Sequence, residues 1–454
     1  MKRTLSVIIL LLSCISYFEA PKEYSFDYCL WMHNLFLVTA LIVFVCDVKN
    51  EKVGFNLLFT VSFFFTNFVY PVYIYPIDPQ YSLFQFPFNE HVITKCTALA
   101  QIAYSAYSCG YLWKLELKQM RVNVSIPFKI SNKKVRQFEY FIVVFVVVFI
   151  IAGGLEYFED RYIRSEMSSN MIVQYMMLFF VPIVILFASM IFVCKENSQR
   201  RSIYLLLFFI SMLLLSSGTR TIPLIIFATL FIIYCQSHKV HFSFVLLCVI
   251  VGTMLMSYIG NIRNLGVMTS VQVDESSQFG WLEKFSDLFI CNRSLYVFYD
   301  FVETRTYTYG VSMISCLLSP IPFAQSTFQN MTGIPYYMLN SPDFSTFLQF
   351  GKNPPLGLGT NIVGDVYLAF GLVGCVVLFF FLGWFIVYIR KHMWAGSFMY
   401  TIVYLVIASD AIYMCRAAYF DAFKAILWAL ILAWILIHGE RKGNRYEYSV
   451  GHSN

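Results

Sequence analysis

Charge is scarce in this chain of 454 residues. Only 13% of the residues are Asp, Glu, Lys or Arg, whereas 59% are hydrophobic and 19% are aromatic. Soluble domains average about 25% charged residues. A single core cannot absorb this much apolar surface while leaving enough polar residues for a water-facing shell. The shortage of charge excludes a large soluble protein and predicts an all-α polytopic membrane protein.

Several chemical motifs are also missing. The sequence has no nucleotide-binding P-loop, no internal repeat and no CxxC pair or Cys/His cluster with metal-ligand spacing. We therefore expect no direct use of ATP, no metal or other cofactor, and no nucleic-acid partner. The twelve cysteines lie mostly in apolar runs, where they behave as small apolar residues. Cys291 and Cys316 lie in a polar region, and the sequence leaves open whether they form a disulfide.

Long apolar runs take up most of the chain. A helix needs about 20 mostly apolar residues to cross a bilayer. The sequence predicts about twelve transmembrane helices, at 4–19, 29–46, 54–75, 92–112, 138–154, 171–193, 202–217, 221–235, 241–259, 360–387, 397–414 and 423–438.

Basic residues set the orientation of these spans. If the loops alternate, one set holds 20 of the 32 Lys and Arg but only 7 of the 26 Asp and Glu. Cytoplasmic loops are the ones enriched in Lys and Arg. We therefore expect both termini to be cytoplasmic. The first run also resembles a signal peptide, and its cleavage would leave eleven spans with the same orientation downstream.

One long hydrophilic region separates spans nine and ten. The sequence therefore predicts four parts of the chain: nine spans over 1–259, an extracytoplasmic cap over 260–359, three spans over 360–438 and a cytoplasmic tail over 439–454. The cap is rich in Tyr and Phe, unlike a linker, and should fold on the outer face. Apolar spacing predicts a helix over 283–304. The segment 311–323 is too short to span and predicts an interfacial or re-entrant helix ended by Pro320 and Pro322.

Three stretches, taken in order, resemble segments of one known protein family. SSGTRTIPLI (216–225) resembles the family's Ser-x-x-Arg turn between two spans. TYGVSMISCLLSPIPF (308–323) resembles its Gly-containing segment late in the outer loop. GLGTNIVGDVYLAFGLVGCVVLFFFLG (357–383) resembles its Gly-rich start of the next span. The family that they resemble is that of the bacterial Wzy-type polymerases of O-antigen and capsule repeat units, and the likeness covers roughly residues 200–390, the span count and the position of the long loop.

The resemblance implies a glycosyltransferase with GT-C-like architecture. Such an enzyme joins oligosaccharide units carried on undecaprenyl diphosphate at the outer face of the bacterial cytoplasmic (inner) membrane. The reaction belongs to O-antigen, capsule or exopolysaccharide synthesis. Its expected partners are the lipid-linked oligosaccharides, the bilayer, a chain-length regulator and a flippase. The alternatives are a flippase or secondary transporter, and an O-antigen ligase. Ligases use an outer-loop histidine, and residues 260–359 contain none.

Arginines are the candidates for binding the lipid diphosphate, because a planar, permanently charged guanidinium suits phosphate oxygens. Arg220 is predicted at the outer surface, where it either binds substrate or snorkels to the interface. Arg263 and Arg293 are candidate catalytic residues, and Arg305 a candidate substrate-binding residue. Each of these three loop arginines has the alternative of pairing with a local carboxylate, such as Glu303 for Arg293.

A carboxylate within a span is costly and usually marks a site or a pair. Asp365, about one turn inside span ten, is therefore the candidate base, and its alternative is a pair with Lys95 or Arg416. Arg416 is itself a candidate substrate-binding residue, with helix capping as its alternative. Tyr309 is a candidate for stacking on a sugar ring. Aromatic residues of a membrane cap also serve as packing or interfacial anchors.

Overall fold

A computed structural model describes residues 2–48, 51, 53–84, 88–115, 129–155, 171–216, 219, 221–238, 240–241, 243–244, 279, 282, 285–352, 354 and 357–450. Every regular element within these ranges is helical, which confirms the all-α prediction. The α-helices are α1 Lys2–Phe18, α2 Phe26–Asp47, α3 Phe55–Val69, α4 Val92–Lys114, α5 Asn132–Ile151, α6 Met171–Ser189, α7 Asn197–Ser216, α8 Thr221–Ser237, α9 Ser286–Phe289, α10 Asn292–Thr304, α11 Val311–Leu318, α12 Ala324–Thr332, α13 Ser341–Phe350, α14 Ile362–Trp394, α15 Phe398–Met414 and α16 Ala422–Val450.

Eleven of the predicted spans coincide with α1–α8 and α14–α16. The ninth, 241–259, lies almost wholly outside the described residues. Five of the described helices are long and apolar enough to cross a membrane: Phe26–Asp47, Phe55–Ile74, Ile172–Phe192, Asn197–Ser216 and Ile362–Trp394. Three shorter helices are also apolar: Thr221–Ser237, Phe398–Met414 and Ala422–Ile437. A polytopic membrane protein follows from these helices, and the count of twelve stays a prediction.

Contacts divide the chain into two units. Unit one comprises Met1–Arg121, Val273–Tyr388 and Ala411–Phe423. Unit two comprises Val122–Gln272, Ile389–Asp410 and Lys424–Asn454. The described part of the predicted cap thus packs with the first four helices, which are far from it in sequence.

Helix α4 is the centre of unit one. Every residue from 92 to 112 is buried except Lys95. Small residues allow this, because a Cβ on Gly110 would lie 1.9 Å from the Phe380 carbonyl oxygen, and one on Gly383 would lie 2.0 Å from the Tyr107 carbonyl oxygen. The backbones of α4 and α14 therefore approach closely at a glycine pair, as membrane helices often do.

Polar side chains also join the first helices of unit one. Ser13 of α1 and Ser105 of α4 share a hydrogen bond of 2.9 Å between their hydroxyls. The Gln101 amide donates to the Ser105 hydroxyl at 3.0 Å. These buried bonds make α1 part of the core of unit one.

Unit two contains α5–α8, most of α15 and nearly all of α16. Helix α7 packs on α8, and α6 contacts both. Phe179 of α6 and Trp428 of α16 meet edge to face, with ring centroids 4.7 Å apart. A groove of about 560 Å³ opens between α5 and α7 beside Glu139 and Arg201. This groove lies at the helix ends that the charge pattern assigns to the cytoplasm.

The cap helices follow the sequence pattern with one break. The helix predicted over 283–304 is two helices, α9 and α10, separated at Ile290 and Cys291. The predicted helix in 311–323 is confirmed as α11, which ends two residues before Pro320. No disulfide joins Cys291 and Cys316, so the bond left open by the sequence does not form in this structure.

Candidate functional site

Helix α10 carries three of the charged residues of the described cap, Arg293, Asp300 and Glu303. Its apolar residues face inward against α4 and α13, which accounts for its strongly amphipathic pattern. At 1.5 Å per residue, the ten-residue step from Arg293 to Glu303 is roughly 15 Å along the helix. The two ends of α10 therefore place charge in two separate environments.

Arg293 lies in the first turn of α10 and is only 6% exposed. Its Nε donates to the Gln349 Oε1 at 2.9 Å, and its Nη1 donates to the Leu83 carbonyl at 2.6 Å. Its guanidinium also lies 5.8 Å from the centroid of the Phe350 ring. Burial lowers the pKa of Arg293 to about 10. This arginine joins α10 to α13 and to the turn before α4, and its predicted catalytic role stays a prediction.

A group of asparagines surrounds the same end of α10. The Asn292 amide donates to the Asn67 carbonyl at 3.3 Å, and the Asn361 amide donates to the Asn67 Oδ1 at 2.9 Å. The Asn361 Oδ1 in turn accepts from the Val363 amide at 2.9 Å, which caps the start of α14. The ends of α3, α10 and α14 are therefore fixed to one another.

Asp365 is fully buried one turn inside α14. Its Oδ1 accepts from the Ser312 hydroxyl at 3.0 Å, and its Oδ2 accepts from the Tyr419 amide at 2.9 Å. The carboxylate thus links α14 to α11 and to the segment after α15. Lys95, one of the partners that the sequence offered, directs its Nζ to the Tyr17 carbonyl at 3.0 Å. The role of Asp365 as a base stays a prediction.

Arg416 lies in the segment that faces the start of α14. The side chain is half-buried, and its guanidinium lies 5.6 Å from the centroid of the Tyr413 ring. The Arg416 carbonyl accepts from the Thr360 amide at 3.2 Å. The backbone just before Asp365 is therefore held next to Arg416, whose substrate-binding role stays a prediction.

Two of the stretches that resemble the polymerase family meet at a kink in α14. Gly371 interrupts this helix with φ 65° and ψ −154°. The Thr308 amide donates to the Leu368 carbonyl at 2.9 Å, so the segment before α11 docks on the kink. A Cβ on Gly371 would lie 2.8 Å from the Tyr307 ring, and one on Gly310 would lie 2.7 Å from the Phe370 ring. The two glycines allow this close approach.

The C-terminal end of α10 opens to the surface beside this kink. Glu303, Arg305, Tyr307 and Tyr309 are all exposed, Tyr309 by 70%. The Arg305 guanidinium lies 5.6 Å from the centroid of the Phe301 ring. Tyr309 has φ 51°, a left-handed conformation that is uncommon for a residue with a side chain. Charged and aromatic groups are thus presented together on a strained turn.

A cluster of tyrosines lies beneath this exposed end. Tyr299 of α10 and Tyr367 of α14 stack with ring centroids 5.0 Å apart. The Tyr17 and Tyr299 hydroxyls are 3.1 Å apart, and the Tyr367 hydroxyl donates to the Glu303 Oε1 at 3.4 Å. Lys95 lies beside the cluster, with its Nζ 5.1 Å from the centroid of the Tyr17 ring.

Sequence reasoning named Glu303 and Lys95 only as ion-pair partners and did not name the tyrosine cluster. The sequence shows Glu303 only as a charged residue near the end of an amphipathic helix. It does not show the neighbours of Glu303, because these come from α1, α4 and α14. The candidates Arg220 and Arg263 lie outside the described residues.

The described helices define a polytopic α-helical membrane protein. Residues 3–440 match the family model of the O-antigen polysaccharide polymerase Wzy. Because the match covers nearly the whole chain, the protein belongs to this family, which confirms the resemblance seen in the sequence. Searches of curated proteins and of solved structures found no match.

Proposed function

We propose that the protein joins oligosaccharide repeat units carried on undecaprenyl diphosphate at the outer face of the bacterial cytoplasmic membrane. The family match over residues 3–440 carries this proposal. The predicted orientation supports it, because it puts the α10 cap on the outer side. The product is an O-antigen, capsule or exopolysaccharide chain, and a flippase and a chain-length regulator act with the enzyme.

The reaction moves a growing chain onto a new repeat unit. A hydroxyl oxygen at the non-reducing end of the incoming unit attacks the anomeric carbon of the growing chain. The bond from that carbon to the phosphate oxygen breaks, and undecaprenyl diphosphate leaves with the bonding electrons. The hydroxyl proton passes to a carboxylate acting as general base.

Arginines balance the charge of the leaving diphosphate in this proposal. Arg220, Arg263, Arg293, Arg305 and Arg416 are the candidates. Among those that the structure describes, Arg305 is exposed, Arg416 is half-buried and Arg293 is buried. Its exposure favours Arg305 for direct contact with substrate. Arg293 and Arg416 are held beside the starts of α10 and α14, where they support the cap or meet a substrate that enters more deeply.

Deletion of the gene in its native host tests the function. Surface polysaccharide is separated on a gel after complementation with wild type, Arg220→Ala or Arg263→Ala, each checked for abundance in the membrane. We expect deletion to leave single repeat units attached and to abolish long chains. We expect the two variants to restore few or no long chains.

Three other outcomes would overturn the proposal. If lipid-linked units accumulate on the cytoplasmic side, the protein is a flippase. If the polysaccharide does not change, a transporter is favoured. If the deletion strain forms long chains that stay attached to the lipid carrier, the protein is a ligase.

A further inference from the structure

An exposed carboxylate at the end of α10 has no part in the mechanism predicted from the sequence. Glu303 is the next-to-last residue of this helix and lies at the surface. The Tyr367 hydroxyl donates to its Oε1 at 3.4 Å. Since a carboxylate offers about four lone-pair sites, this bond orients the side chain and leaves sites for a ligand.

The surroundings of Glu303 suit a sugar next to a phosphate. Tyr307 and Tyr309 follow Glu303 closely in the chain and expose 38% and 70% of their surfaces. The Tyr307 ring centroid lies 6.3 Å from that of Tyr367, which bonds to Glu303, and aromatic faces of this kind pack against apolar faces of ligands. Lys95 lies at the same tyrosine cluster, with its Nζ 5.1 Å from the centroid of the Tyr17 ring. Lys95 is also fixed by its bond to the Tyr17 carbonyl. A carboxylate, a cation and two exposed rings therefore share one surface.

Asp365, the carboxylate that the sequence favours, has a different environment. It is fully buried, and each of its oxygens accepts a hydrogen bond from the protein. A general base must come within about 2.6–3.2 Å of the group that it deprotonates. A sugar hydroxyl reaches Asp365 only if α11 or the segment after α15 moves away. It reaches Glu303 from the surface.

We propose that Glu303 is the general base for the attacking sugar hydroxyl, and that Glu303, Tyr307 and Tyr309 form the binding site of the acceptor sugar. This inference rests on the proposed function. As the acceptor oxygen bonds to the anomeric carbon and the diphosphate leaves, the hydroxyl proton moves to a carboxylate oxygen of Glu303. Exposure of Glu303 then allows the proton to pass to water. Asp365 is a positioning residue that holds α11 and α14 together.

The test uses the full-length protein in lipid vesicles, with lipid-linked repeat units extracted from the deletion strain as substrate. Glu303→Gln keeps the size of the side chain and removes the base. General base catalysis contributes about 100-fold or more to a rate, so we expect a loss of that size. Asp343→Asn is the matched control, because Asp343 is also an exposed helical carboxylate of the cap. It should keep the wild-type rate within about twofold, as surface changes away from a site usually do.

Chemical rescue separates a base from a structural residue. Formate is added to Glu303→Ala and to Asp343→Ala, and we expect it to raise the rate of the first only. A Glu303→Gln rate close to wild type, or equal responses of the two alanine variants to formate, would overturn the inference. If the wild-type protein forms no polymer from the extracted units, the proposed function itself fails. If the wild type polymerises and Glu303→Gln does so equally well, only the role of Glu303 fails.

Discussion

The two ends of helix α10 place charged side chains in opposite environments. At the start, Arg293 is 6% exposed and donates hydrogen bonds to Gln349 and to the Leu83 carbonyl. At the end, Glu303 and Arg305 are exposed beside two exposed tyrosines. A charge whose partners the protein supplies contributes mainly to the fold, whereas a surface charge on a fixed support is available to a substrate. Mutations at the two ends should therefore separate stability from activity.

The largest expected loss of stability is at the buried end. Arg293→Ala removes a guanidinium and leaves the Gln349 side chain and the Leu83 carbonyl without these bonds. Leaving a buried polar group unsatisfied costs about 1–3 kcal/mol, and we expect about 3 kcal/mol for the two acceptors together. Denaturant unfolding in detergent micelles measures this free energy. Arg305→Ala is the control and should change it by less than about 0.5 kcal/mol. A stable but inactive Arg293→Ala would instead assign Arg293 to the substrate.

Asp365→Ala should have the next largest effect. It removes both carboxylate oxygens, which accept from the Ser312 hydroxyl and the Tyr419 amide, and leaves these buried donors without their partner. Leaving one buried donor unsatisfied costs about 1–3 kcal/mol. Stability and polymer yield should fall together, and Ser312→Ala should shift both in the same direction. Full stability with complete loss of polymer would contradict this and would restore Asp365 as the base.

Much of the fold follows from the sequence, and the reasons are local. Apolar runs fix the existence of the helices, and Pro320 and Pro322 mark the end of α11. Helix α4 is the instructive case, because its small residues lower its apolar character while allowing α14 to approach at Gly110. The sequence predicts α4 as a span but does not show that it is the centre of unit one.

Less of the candidate site could be predicted from the sequence. Asp365 and Arg293 stand out because a charge in an apolar context is rare, but the structure shows what each contacts. The cluster around Glu303 joins Tyr17, Lys95 and Tyr367, which lie far apart in the chain, on α1, α4 and α14. No local pattern predicts these long-range contacts.

Gly371 tests the support beneath the exposed end. Its φ of 65° disfavours any side chain, and a Cβ there would lie 2.8 Å from the Tyr307 ring. Gly371→Ala should cost about 1–2 kcal/mol and displace Tyr307, which should reduce polymer yield. Gly357→Ala is the control, because a Cβ on Gly357 meets no atom within 4 Å. Denaturant unfolding and gel analysis are compared for both variants. Equal behaviour of the two would mean that the kink is not needed to hold Tyr307.

The smallest effect should come from Arg305 itself. If its exposed guanidinium contacts the lipid diphosphate, Arg305→Ala loses a charge-assisted interaction worth about 1.4 kcal/mol at a partly solvated position. This corresponds to roughly a tenfold rise in KM for the lipid-linked unit, with unchanged stability. Arg305→Lys should recover part of the loss, because Lys keeps the charge but not the planar donor pair. Lys352→Ala removes another exposed cation of the cap and should leave KM unchanged. Equal shifts for Arg305→Ala and Lys352→Ala would mean that general surface charge, rather than a specific contact, attracts the substrate.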